Sequence, residues 1–170
     1  MPVILSLHTL WRHCCRSLIL IAIAGLAWSW IAPAAIALDF TKEILIESNF
    51  SNRDLSDANF TKANLRSSDF SNSVLVGVRF YGANLESVDL HGADLSNTIL
   101  DQARMTNTDL TDAILEGAYA FNALFQGAKI TGADFTDVLM RQDAQDLLCS
   151  VAEGVNSKTG RATRDTLDCP

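Results

Sequence analysis

From Phe40 to Met140 the chain places a large apolar residue at every fifth position without one insertion or deletion: Phe40, Leu45, Phe50, Leu55, Phe60, Leu65, Phe70, Leu75, Phe80, Leu85, Leu90, Leu95, Leu100, Met105, Leu110, Leu115, then Ala120, then Phe125, Ile130, Phe135 and Met140. Only Ala120 is small. A step of five turns a helical side chain by about 140°, so the series would wander around a helix instead of lining one face. In a strand an odd step sends alternate members to opposite faces. The chain must therefore turn a corner in every repeat and bring each fifth side chain back to a common interior.

Two positions ahead of each large residue, from Ala58 onward, runs a second series that includes Ala63, Ser68, Val78, Ala83, Ala93, Thr98, Ala113 and Ala133, all small or β-branched. The unit reads A-(D/N)-(L/F)-(S/T)-x, with good copies at Ala58-Asn59-Phe60, Ala63-Asn64-Leu65, Ala83-Asn84-Leu85, Ala93-Asp94-Leu95 and Ala133-Asp134-Phe135. This pattern resembles the pentapeptide-repeat family over about residues 40 to 142. The resemblance implies an all-β fold, a right-handed quadrilateral β-helix whose square coils each take four pentapeptides. About five coils, stacked at the ordinary inter-strand spacing, make a rod of about 24 Å. A ladder of this kind leaves an open edge at each end that has to be covered.

Residues 1–37 read as a cleaved signal peptide. His8, Arg12, His13 and Arg16 form a basic start, an apolar stretch runs from Ser17 to Ile31, and Ala35-Ile36-Ala37 has the form of a cleavage site. The alternative is an uncleaved anchor, for which the apolar stretch is short. Arg12 and Arg16 are not adjacent, so a twin-arginine route is not indicated. Without the leader the chain holds 11 Lys and Arg against 20 Asp and Glu, a formal charge of −9. That charge repels nucleic acid and anionic headgroups, and no stable membrane insertion is expected after cleavage.

The repeat gives way after residue 142. Ala144, Leu147, Leu148, Val151 and Ala152 fall at helical spacing, with Asp143 as the expected N-cap and Gly154 as the expected terminator. Residues 143–170 are therefore expected to form a helical cap over the last coil of the 38–142 repeat region. Cys149 and Cys169 are the only thiols beyond the leader, and in an exported protein a Cys149–Cys169 disulfide is expected, the alternative being two unrelated thiols. The segment from Leu148 to Cys169 resembles the C-terminal segment of thylakoid lumenal pentapeptide-repeat proteins of cyanobacteria and chloroplasts, through Cys149, Ala152, Gly154, Asn156, Thr159-Gly160, Thr163-Arg164, Leu167 and Cys169. That likeness implies a lumenal or periplasmic protein, and the short leader without a long Ser-rich region favours a cyanobacterium.

Chemistry-bearing residues are few. His91 is the one histidine beyond the leader, with Asp89 beside it and Asp69 and Asp109 one coil away. No triad, zinc cluster or phosphate loop occurs, so neither catalysis nor a cofactor is expected. The Asp and Asn residues ahead of the core positions suit local turn bonds. More telling are the outward positions that break the polar rule: Ile99, Tyr119 and Leu139 in one column, Tyr81 and Phe121 in the next. They are expected to form an apolar contact face for a protein partner. The alternative is that Tyr119 or Phe121, or the cap, covers the gap left by Ala120. The resemblance to family members that mimic DNA and bind gyrase implies an alternative function, that of a DNA-mimicking inhibitor of a DNA-binding protein such as gyrase.

Overall fold

In the computed structural model, which describes residues 38–170, the backbone of each pentapeptide pairs in parallel with the residue twenty positions further on, from Asp39 with Asn59 to Tyr119 with Leu139. Four pentapeptides thus close one square coil, and the coils stack through backbone bonds such as Phe60 N–H to Arg79 O at 2.8 Å and Asn59 N–H to Leu38 O at 2.8 Å. At 18 of the 20 corners the core residue's carbonyl accepts from the N–H three residues on, as in Ala58 N–H to Leu55 O at 3.0 Å; the exceptions follow Leu45, where Ser68 Oγ bridges Ser48 N–H and Leu45 O, and Phe50. The third residue of the turn takes a left-handed conformation, with φ of +57° at Asn52 and +55° at Asn72. Asn, Asp and Gly recur there because they tolerate that region best. The Asp or Asn ahead of the core residue braces the corner: Asp54 Oδ1 accepts from Ser56 N–H at 3.0 Å and from its hydroxyl at 2.7 Å.

The large residues fill the axis. Phe50, Leu55, Phe60, Leu65, Phe70, Leu75, Phe80, Leu85, Leu90, Leu95, Leu100, Leu110, Leu115, Phe125 and Phe135 are all buried, whereas Phe40, Leu45 and Met140 at the two ends are half-buried. Rings of successive coils stack, Phe40 on Phe60 at 4.8 Å and Phe50 on Phe70 at 4.7 Å, and meet the adjacent column edge to face. Ala120 is fully buried, and its own coil restores the volume with Phe125 and Phe135, where the coil below has Met105 and Leu115.

Helix α1 spans Gln142–Cys149, and a single helical turn, α2, spans Thr163–Thr166. The expected caps are corrected. The N-cap is Arg141, with no side-chain cap bond, and Asp143 lies in the first turn, where its charge complements the helix dipole. The helix ends at Cys149, five residues before Gly154. The expected single stripe is broken for that reason: Leu148 and Ala152 are buried, while Leu147 and Val151 face solvent. Cys149 and Cys169 form a disulfide with their Cα atoms 5.6 Å apart.

The rest of the tail runs down one edge of the rod. Asn156 is buried, its amide donating to Gly132 O at 2.8 Å and to Asp112 O and Ala113 O at 3.2 Å. Lys158 Nζ reaches Gly92 O at 2.6 Å, a further coil down. Arg161 joins Glu116 and Asp134, with its Nε 2.7 Å from Asp134 Oδ2. On the last coil, Gly132 N–H donates to Glu153 O at 2.9 Å and Phe135 N–H to Thr166 Oγ1 at 3.1 Å.

Two residues make this docking testable. Gly154 has φ +83°, and a Cβ there would lie 2.8 Å from Gly132 N. Gly154→Ala is expected to cost about 1 to 3 kcal/mol and to speed amide exchange across 153–163, read by thermal melts and hydrogen exchange. Burial pushes the Asp134 carboxyl up, but hydrogen bonds from Thr136 and the neighbouring Arg161 charge outweigh it and hold it below the usual carboxylate range. Its contribution is therefore present above the ordinary value near 3.9 and is lost as pH falls through the lower folded value. Asp134→Asn is expected to remove that acid-limb dependence and to cost about 1 kcal/mol at neutral pH, the low end for a charged bond because Arg161 is partly open to water.

Candidate functional site

Because the register is fixed at twenty, each outward position belongs to a vertical column. One column reads Arg79, Ile99, Tyr119, Leu139 through successive backbone pairs. Ile99, Tyr119 and Leu139 are 37%, 41% and 61% exposed, and Phe121, around the corner from Tyr119, is 46% exposed. The Tyr119 and Phe121 rings lie nearly parallel, with centroids 6.4 Å apart. Their exposure sets them outside the axis at Ala120. Tyr81 is half-buried, and Asp101 separates it from Phe121 in their shared column.

Two further residues extend this surface. Leu124, 45% exposed, occupies an outward position on the adjacent side, where the rule that picks out Ile99 also applies. Leu147 joins from α1, and only the tertiary fold brings it there. Phe121, Asn122, Leu124, Phe125, Arg141 and Leu147 line a groove of about 270 Å³ between this corner and α1.

The corner at Phe121–Asn122 departs from the others. Its neighbours carry positive φ at the equivalent residue, +69° at Gly117 and +71° at Gly127, and Asn122 does not. The turn bond is kept, Ala123 N–H to Ala120 O at 3.1 Å. Elsewhere the equivalent N–H donates to the coil above, as Asn97 to Glu116 O and Asn107 to Gln126 O, both at 2.9 Å, but Gln102 makes no such bond to Phe121 O. The Phe121–Asn122 peptide is rotated, as in the change from a type II to a type I turn. Asn122 N–H and Nδ2 then both donate downward to Asp101 Oδ1, at 3.1 and 2.9 Å.

Charge divides the rod lengthwise. Over residues 38–137, the two sides bearing the apolar strip, each taken with its following corner, hold Lys42, Lys62, Arg66, Arg79 and Arg104 against five carboxylates, a net charge of zero. The other two hold Arg53 and Lys129 against ten carboxylates, a net charge of −8. The tail cations Lys158 and Arg161 dock on this acidic half and leave the apolar half free of the 155–161 segment.

His91 is exposed, and its backbone N–H donates to Asp89 Oδ1 at 2.9 Å. Asp69, Asp89 and Asp109 share a column, with Lys129 Nζ 3.1 Å from Asp109. Among the described residues no group of three His, Cys, Asp or Glu side chains is close enough to hold a metal ion.

The family model for pentapeptide repeats matches residues 44–82, 54–92, 64–102, 89–127 and 100–142, in eight copies. The chain belongs to the pentapeptide-repeat family, whose members form right-handed quadrilateral β-helices. A solved pentapeptide-repeat protein from the Arabidopsis thaliana thylakoid lumen is 42% identical, covers 78% of this chain and 86% of its own, and superposes with a TM-score of 0.62. Another from Nostoc PCC 7120 is 24% identical, with 74% and 94% coverage and a TM-score of 0.54, and shares the fold. No curated protein matches the sequence. Among the described residues no helix is long and apolar enough to cross a membrane, and the expected leader, 1–37, lies outside them.

Asp101→Ala removes both bonds that hold the rotated corner. It is expected to cost about 0.5 to 1.5 kcal/mol and to raise the backbone mobility of 121–123 in ¹⁵N relaxation, with the other corners unchanged.

Proposed function

We propose that this is a non-enzymatic, exported interaction module of the thylakoid lumen or periplasm, which presents Tyr81, Ile99, Tyr119, Phe121 and Leu139, extended by Leu124 and Leu147, to a protein partner. The observation that carries this reading is the exposed Tyr119–Phe121 pair, next to the corner that Asp101 bonds through Asn122, on the half of the rod with no net charge. Large aromatic side chains held rigid at a surface make good contact anchors, because little freedom is lost when a partner covers them.

Export is supported by the leader-like 1–37 segment, by a disulfide of a kind that persists outside the reducing cytosol, and by the 42% identity to a lumenal protein. The layout that follows is a cleaved leader at 1–37, a repeat scaffold at 38–142 and a disulfide-closed cap at 143–170. The cap role rests on the bonds that Glu153 and Thr166 make to the otherwise open edge at Gly132 and Phe135. A DNA mimic would need an unbroken anionic surface, and Lys158 and Arg161 lie across the acidic half.

Affinity capture from the exported compartment, with the native chain and with Tyr119→Ser/Phe121→Ser, tests the reading. The double variant is expected to keep the native circular dichroism and melting temperature within about 2 °C, as surface changes do, and to lose the captured partner. A partner retained by the folded variant, or a variant that unfolds, counts against the face.

A further inference from the structure

Several of the charges bordering the strip are engaged on its own surface, whereas Arg79, below Ile99 in the same column, makes no ion pair among the described residues. Arg104 lies 4.0 Å from Glu86, Arg141 lies 3.1 Å from Asp143, and Asp101 accepts both bonds from Asn122. The two left without a counter-ion, Arg79 and Asp101, are of opposite sign, so the strip as a whole asks its partner for no net counter-charge. Without residues 1–37 the chain carries a formal charge of −9 and repels its own copies, and its acidic half concentrates that repulsion at −8. The apolar half, at zero, is where two copies meet without opposing fields.

The order of residues along the column also suits self-pairing. Tyr119 sits midway between Ile99 and Leu139, one coil from each. A two-fold axis through Tyr119, perpendicular to the rod, sets Ile99 of one copy against Leu139 of the other and packs the two Tyr119–Phe121 pairs together. That is an isologous contact, the commonest arrangement among soluble oligomers. A stable dimer buries about 800 Å² on each copy, and two adjacent sides of a rod about 24 Å tall offer a surface of that order.

We propose that this face is occupied by a second copy of the chain, giving a two-fold, side-by-side dimer centred on Tyr119. The proposal rests on the reading of the face as a protein-docking surface and names its occupant. The test is sedimentation equilibrium of the processed protein purified from its exported compartment, from about 5 to 100 µM, the range that resolves micromolar dimers. A concentration-dependent rise to twice the chain mass is expected, with the dissociation constant changing less than about threefold between 50 and 500 mM NaCl, because the facing halves carry no net charge. Tyr119→Asp is expected to raise that constant at least about 30-fold, as loss of a central anchor does. Val74→Asp, on the acidic half, is expected to leave it unchanged. Leu139→Asp gives a second, more exposed disruption should Tyr119→Asp fail to fold.

A monomer throughout that range overturns the dimer, as does a dimer that survives both Tyr119→Asp and Leu139→Asp. A monomer that still loses its captured protein on Tyr119→Ser/Phe121→Ser rejects self-pairing and leaves the docking reading standing.

Discussion

Everything in this rod depends on a backbone that turns a corner every five residues and returns to the same lateral position every twenty. The corner holds because the core residue's carbonyl is bonded three residues on, and because a residue of the turn accepts a left-handed φ. Stacking then satisfies the remaining amides coil by coil, so a lost or extra residue would shift every later column by one position. That accounts for the unbroken count from Phe40 to Met140. It also makes the exterior a direct printout of the sequence, since Ile99, Tyr119 and Leu139 share a column for no reason other than their numbers.

This strict register makes the scaffold legible in the sequence. The axis residues, the local bracing by Asp54 and its equivalents, and the outward placement of Ile99, Tyr119, Phe121 and Leu139 all follow from position modulo twenty. Leu124 follows from the same rule, one side further on. What the count does not contain is anything that leaves the register. Helical spacing over 144–152 points to one continuous face, but the chain leaves the helix at Cys149, turns at Gly154 and buries Asn156 against the corner at Asp112–Ala113. The approach of Leu147 to Phe121 depends on that route and has no local signature.

The lengthwise split in charge joins the tail to the face. A short polar segment docks on the acidic half, where Arg161 pairs with Glu116 and Asp134, Asp112 accepts from Ser157 N–H and Lys158 reaches the Gly92 carbonyl. Burial raises the cost of the Asp134 charge, so the Arg161 guanidinium and the Thr136 bonds are what keep it ionised there. The same preference keeps that segment off the neutral sides. A regular scaffold with one acidic half thus sorts its own appendage to one surface and leaves the apolar strip uncovered.

Within so regular a molecule, the rotated peptide at Phe121–Asn122 is informative because the scaffold had a simpler solution available. Asn is an accepted residue at the left-handed corner position, as Asn52, Asn72, Asn97 and Asn107 show. Asn122 in that conformation would have preserved the bond from Gln102, so composition alone does not force the rotation. The difference lies one coil below, where Asp101 offers a carboxylate oxygen to both Asn122 donors. A charge-assisted pair of bonds replaces one neutral backbone bond, and each neutral bond contributes only about 1 kcal/mol net. The exchange is therefore affordable in stability, and what it changes is the setting of the peptide that carries Phe121 beside Tyr119. Local rules tend to be broken where a protein has something to do besides stay folded, and here the break coincides with the stacked pair on the half that carries no net charge.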